Sequence, residues 1–152
     1  MSRAFEELAH ETTAMGEISL RRRLEPTLQV DVYEVKLDDE FLMSSLFTTS
    51  EMAVAELGLD AVLGDTLDIV VGGLGLGFTA RSALLDERVR SMKVIEALAE
   101  VIDWHRRHLV PLGAELTSDP RCELVHGDFF AMVADGIEPT DDGPRQFDAI
   151  LV

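Results

Sequence analysis

The sequence predicts an α/β fold: a Rossmann-like, doubly wound, mainly parallel sheet preceded by a small N-terminal antiparallel β unit. Three observations carry the prediction. From Leu67 onward, apolar strand, turn and amphipathic helix alternate. The first of those strands, "LDIVVGG", is apolar without a break, as in a strand covered on both faces. Ahead of it, "TLQVDVYEVKL" sets Leu28, Val30, Val32 and, after a step, Val35 and Leu37 among polar neighbours, a half-buried strand pattern.

Taken in chain order, "GEISLRRR" (Gly16–Arg23) supplies a short strand, with "LRRR" expected on a solvated strand or turn. Thr27–Leu37 follows as the alternating strand, and "LDDEFLMSSLF" returns as a hairpin turning at Asp38–Asp39. Residues 1–49 make up this β unit, and residues 50–152 the nucleotide-binding domain. A helix is expected to open at Ser50, whose hydroxyl can cap orphan amides, and to stop at Gly64. Met52, Ala55, Leu59 and Val62 or Leu63 fall near one of its faces.

The α/β part then reads "LDIVVGG" as strand, "FTARSALLDE" as crossover helix and "RSMKVIEA" as the second strand. "ALAEVIDWHRRHLV" is the next helix, with Leu98, Val101, Ile102, His105 and Leu109 on one side. "RCELVHGD" is a third strand, "FFAMVADG" a short helix, "EPTDDGPRQ" a loop and "FDAILV" a fourth strand. Ending on an apolar strand suits a truncated sheet, so the nucleotide-binding domain is expected to be incomplete.

A formal charge of −16 argues against nucleic-acid binding, which needs clustered Lys and Arg. It keeps a surface soluble, and it also attracts cationic substrates such as polyamines. No apolar run approaches the roughly 18 residues of a membrane span. Cys122, the single cysteine, is expected to be a small buried hydrophobe and fits a cytoplasmic location.

Gly73, Gly75 and Gly77 follow a strand and open a helix, the context in which bare backbone receives a ligand. A dinucleotide fingerprint places its third glycine five positions after the first, at Phe78; here it stands at Gly77, four after. That spacing favours an adenosyl ligand without a pyrophosphate. No Gly-Lys-Ser/Thr follows, which excludes a Walker-type loop. Glu96 closes the second strand 21 residues after Gly75, close to the spacing of a ribose-binding carboxylate. Asp128 ends the third strand, where it can accept from an adenine amine or cap the helix after it, and Phe129 or Phe130 can cover the ring. His105 and His108 lack a third metal ligand, so "WHRRHLVP" is read as a helix end carrying cations near the negative dipole pole. No metal site is expected. No serine or cysteine nucleophile stands in a recognisable context.

"DIVVGGLGLGFTARSALL", "KVIEALAEVIDWHRRHL", "DPRCELVHGDFF" and "FDAILV" resemble, in order, the nucleotide-binding half of the spermidine synthase-like family. The same layout is similar to class I S-adenosylmethionine methyltransferases generally. "VYEVKLDDEFLM" resembles the small β-domain that precedes it in spermidine synthases. The resemblance implies an adenosyl sulfonium cofactor, decarboxylated S-adenosylmethionine or S-adenosylmethionine. Gly73, Gly75 and Gly77 would line it, Glu96 would bind the ribose, and Asp128 the adenine. It further implies transfer of an aminopropyl group to a small amine such as a polyamine, and leaves a homodimer open. Two departures keep alternatives in play. Gly75 stands where the family's loop carries Asp, and the segment from Asp38 to Glu51 lacks the family's Gln and Asp-Glu pair. The catalytic Asp is expected directly after the fourth strand, past Val152, so no catalytic residue is assigned. A methyltransferase of the same architecture and a non-catalytic nucleotide-binding fragment are the other two readings.

Overall fold

The computed structural model describes residues 4–136 and 146–152. Four N-terminal strands, β1 (Phe5–Thr13), β2 (Gly16–Glu25), β3 (Val30–Leu37) and β4 (Glu40–Ser44), pair in sequence order as an antiparallel meander. Helix α1 (Thr49–Asp60) leads from it into a second sheet. There β5 (Leu67–Gly72), α2 (Phe78–Leu84), β6 (Val89–Glu96), α3 (Ala99–Arg106), α4 (Gly113–Ser118), β7 (Cys122–His126), α5 (Phe129–Asp135) and β8 (Ala149–Leu151) follow. The second sheet has the order β7-β6-β5-β8 and every pairing in it is parallel. The α/β fold with its N-terminal antiparallel sheet is therefore as the sequence predicts.

The meander's two faces differ. Register sets Ile18 opposite Leu37 and Leu20 opposite Val35, and Ile18, Leu20 and Val35 join the main hydrophobic core. The alternate residues form the other face, where Arg21 and Arg23 grip the buried Glu34 carboxylate at 2.7 and 2.9 Å. Arg21 also lies 4.6 Å from the centre of the Phe41 ring. Arg22 pairs with Glu6 at 2.6 Å. The "LRRR" run is thus a strand whose arginines are ion-paired rather than merely solvated. The step between Val32 and Val35 has the same origin: these two valines point to opposite faces of β3. Leu28 and Val30 are exposed, and β3 begins only at Val30.

Strand β1 has no counterpart in the sequence reading. Its register shifts between Glu7 and Ala9, which breaks the alternation a strand would otherwise show. Helix α1 starts one residue before Ser50: Thr48 is the N-cap, and no side chain caps the amides. It also stops short of Gly64. The Arg88 guanidinium donates to the carbonyls of Leu59 and Val62, both at 2.8 Å, and so satisfies acceptors at the helix end. Asp86 holds that guanidinium at 2.7 Å, and its carboxyl is shifted below the usual value by the bond.

The third predicted helix ends early. α3 ends at Arg106 in a Schellman motif with His108 at φ +57°. Leu109 donates to the Trp104 carbonyl at 2.9 Å and His108 to the His105 carbonyl at 3.1 Å. Pro111 then separates it from α4, a helix the sequence reading left unassigned. Gly113 opens α4 against the end of α3 so closely that a Cβ there would meet the His105 carbonyl oxygen at 2.6 Å. The "EPTDDGPRQ" loop lies almost wholly outside the described residues.

One core links both sheets, from Ile18 and Leu20 through Leu67, Ile69 and Val71 to Trp104 and Leu116. Leu20→Ala removes a fully buried side chain from it and is expected to cost about 2–5 kcal/mol. Urea denaturation followed by circular dichroism should then show one transition moved to lower urea. Two resolved transitions would show that the sheets unfold as separate units.

Candidate functional site

The parallel order reverses beside β5, since β6 and β7 extend to one side and β8 lies on the other. Ligands of open α/β sheets bind beyond the strands' carboxyl ends at such a switch point. The glycine loop leaves β5 there. Gly73, Gly75 and Gly77 have φ of +105°, +51° and +91°, values that side chains resist. Between them Leu74 and Leu76 turn inward and are 5% and 4% exposed, which anchors the loop in the core. A cleft of about 290 Å³ opens over the loop, lined by Gly73 to Thr79 and Glu96. Met43 and Ser44 of β4 and Glu51 of α1 complete its lining. These last three escape sequence reading because they are distant in sequence and meet the loop only through the fold.

Glu96, at the end of β6, is buried at 9% exposure. Its Oε2 accepts from the amides of Leu74 (2.9 Å) and Gly75 (3.3 Å), and its Oε1 from the amide of Leu98 (3.0 Å). A carboxylate offers about four acceptor positions. Three are taken, so Glu96 retains one, on Oε1.

His105 is fully buried under the same loop, its Nε2 2.8 Å from the Gly75 carbonyl oxygen. The carbonyl can only accept, so Nε2 carries the proton. Nδ1 is buried without a partner. Burial pushes the imidazole below its ordinary pKa, against the opposing influence of the Gly75 bond and the Glu96 charge. His105 is therefore a neutral donor to the loop, which corrects its reading as a helix-end cation. His108 sits apart, in the Schellman turn.

Asp128 and Phe129 stand at the neighbouring strand end, outside the lining of this cleft. Asp128 is exposed and caps α5, accepting from the Ala131 amide at 3.0 Å. The Phe129 ring covers Gly72, where a Cβ would come within 2.9 Å of it. Phe130 meets Phe129 edge-on at 5.4 Å and is 70% exposed. The structure therefore unites Gly73, Gly75, Gly77 and Glu96 in one cleft and leaves Asp128 and Phe129 beside it. Cys122 is half-buried rather than fully buried, and burial raises its thiol pKa to about 12, so it stays protonated at neutral pH. Among the described residues, no group of three or more His, Cys, Asp or Glu could hold a metal ion, and no helix is long and apolar enough to cross a membrane.

An all-parallel sheet with a glycine loop at its switch point, preceded by a small antiparallel sheet, defines a Rossmann-like fold of the class I methyltransferase type. Within that class its fold is similar to that of spermidine synthases. It matches the solved spermidine synthase of Thermotoga maritima with a TM-score of 0.72 at 18% identity, over 95% of this chain and 47% of that one. It matches a spermidine synthase solved with the transition state analogue AdoDATO with a TM-score of 0.65 at 19% identity, over 80% of this chain and 39% of that one. Those likenesses establish the fold. In sequence, 74 residues are 35% identical to the polyamine aminopropyltransferase of Prochlorococcus marinus (strain MIT 9313), covering 49% of this chain and 26% of that protein. The chain thus spans about half or less of the length of these relatives. No family model matches it.

The depressed His105 pKa sets the sign of a pH dependence. As pH falls, the unfolded chain takes up the imidazole proton before the folded one does. The stability that neutral His105 contributes is thus whole above about pH 6.5 and is lost as pH falls from there toward the folded value. Urea midpoints should be lower at about pH 5.5 than at about pH 7.5. His105→Gln, which does not titrate, should show a smaller difference; an equal difference would assign the dependence to other groups.

Proposed function

We propose that the chain forms the adenosyl-binding part of a spermidine synthase-like aminopropyltransferase, with decarboxylated S-adenosylmethionine as the donor and a small amine, such as a polyamine, as the acceptor. One observation carries the reading: the glycine loop and Glu96 meet in a single cleft at the sheet's switch point. The name of the Prochlorococcus relative, a polyamine aminopropyltransferase, supports it.

In this reading Gly73, Gly75 and Gly77 let the nucleoside lie against bare backbone. The open acceptor position on Glu96 Oε1 takes one ribose hydroxyl, which fixes the sugar without releasing the loop. Asp128 meets the adenine amine with the carboxylate oxygen that its α5 cap leaves free, and Phe129 stands beside the ring. Glu96 and Glu51 give the cleft a negative lining, suited to a sulfonium and an ammonium. Transfer forms a C–N bond as the amine's lone pair attacks the carbon beside sulfur. The C–S bond breaks, its electrons neutralise the sulfonium, and the amine gives up a proton.

Methyl transfer from S-adenosylmethionine is the second reading, and the loop itself favours it. A side chain at position 75 would need a left-handed backbone, and its Cβ would meet the Met43 sulfur at 3.0 Å. The loop therefore supplies no acid of its own toward an aminopropyl ammonium.

Calorimetric titration with S-adenosylmethionine, its decarboxylated form and methylthioadenosine separates the readings. Aminopropyl transfer expects tighter binding of the decarboxylated form, and methyl transfer expects selectivity for S-adenosylmethionine. A folded sample that binds none of the three overturns the adenosyl assignment. Glu96→Ala is expected to weaken nucleotide binding by about 1–3 kcal/mol, the scale of a lost charge-assisted hydrogen bond. Unchanged affinity would show that the carboxylate does not reach the ligand, directly or through the loop.

A further inference from the structure

The backbone of Gly75 is held from both sides. Its amide donates to Glu96 Oε2, and its carbonyl accepts from His105 Nε2. Glu96 itself lines the cleft, so its contact with the loop is part of the site already described. His105 does not line the cleft; its hydrogen bond to the lining is made to the carbonyl of Gly75.

We propose that His105 is a positioning residue for this cleft: by holding the Gly75 carbonyl it fixes the glycine loop in the shape that receives the nucleoside. The inference rests on the adenosyl reading above. Three observations support it. The ring is fully buried, so the bond to Gly75 faces no competition from water. His105 Cε1 lies 3.1 Å from where a Cβ on Gly77 would stand, so the ring underlies the loop from Gly75 to Gly77. The backbone that carries it is fixed in turn, because Gly113 packs against the His105 carbonyl and the Schellman motif closes the helix directly after it.

A residue that only filled space would not need its donor. Nδ1 has no partner, so the imidazole makes one hydrogen bond and makes it to the loop. That arrangement bears an unsatisfied buried acceptor, a cost that an apolar side chain of similar size would not carry. Orienting the loop is the function that this bond can serve. A loop already in its bound shape spares the ligand the entropy of ordering it.

The test compares three variants by methylthioadenosine titration at a temperature where all are folded. His105→Leu keeps bulk and removes the donor, and is expected to bind about tenfold more weakly, the factor associated with one hydrogen bond. His105→Gln restores an N–H donor and should recover most of that loss. Ile18→Val trims the core in β2 and should leave affinity unchanged despite lowering stability. Wild-type affinity in His105→Leu, or no recovery in His105→Gln, overturns the proposal. If His105→Leu does not fold, nitrogen-15 spectra of the wild-type imidazole decide instead. A protonated Nε2, a bare Nδ1 and an Nε2–H signal that moves on adding methylthioadenosine are expected. A proton on Nδ1, or a signal indifferent to the ligand, overturns it. If wild-type protein binds no adenosyl compound, the adenosyl reading fails and the affinity claim with it, whereas the tautomer still reports whether His105 holds the loop.

Discussion

The rest of the site depends on the peptide of Gly75. A ligand that lies against bare backbone needs a loop without side chains, and such a loop loses the contacts that would otherwise hold it still. Here the shape is restored from below. Leu74 and Leu76 are driven into the core, the amides of Leu74 and Gly75 close on Glu96, and the Gly75 carbonyl closes on His105. Backbone polar groups in a buried turn must find partners, and in this chain two titratable side chains supply them. The switch point between β5 and β8 provides the opening above that loop, and β4 with the start of α1 closes its far side.

Charge is distributed with the same economy. Most cations are committed locally: Arg21 and Arg23 to Glu34, Arg22 to Glu6, Arg81 to Glu115, Arg88 to Asp86, Arg90 to Asp68, Lys93 to Glu123, Arg107 to Asp103 and Arg121 to Asp119. The pairs at Asp86 and Asp119 lower those carboxyls' pKa through the guanidinium bond, so both stay ionised well into acid. With 29 acidic residues against 13 basic ones, the remaining carboxylates define the field outside the protein. That field draws in cations over roughly a Debye length, about 8 Å at physiological salt. An acidic exterior around an acid-lined cleft suits a cationic ligand better than it suits a phosphate-bearing nucleotide.

What could be read in the sequence follows from where each signal originates. The parallel sheet was legible because a strand covered on both faces leaves an unbroken apolar run, and β5 is such a strand. The place of Glu96 at the end of β6 was legible because strand length and loop length fix how far the second strand's end lies from the first. Helix ends were not legible, since tertiary partners set them: Arg88 stops α1 before Gly64, and a left-handed His108 stops α3 before Pro111. Strand β1 was hidden by its bulge, and the outer face of the meander by arginines that read as solvated charges. His105 shows the limit most clearly. Its place on an apolar helix face announced burial, but nothing local could announce that the carbonyl above it belongs to Gly75, 30 residues earlier.

Glu96 and His105 also divide their work in a way that bears on how a ligand is held. Glu96 meets the loop through accepted bonds and keeps one acceptor position open, so it can touch a ligand while holding the loop. His105 spends its single donor on the loop, and its unpaired Nδ1 is buried in a ring that does not line the cleft. The first residue couples binding to loop geometry directly; the second can act only by preorganisation. In the proposed adenosyl site, loss of Glu96 would therefore remove a contact and a support together, whereas loss of His105 would remove a support alone. A glycine loop secured on both faces of one peptide has less freedom to lose when a ligand arrives, so more of the free energy of binding is available for orienting that ligand than for ordering the chain.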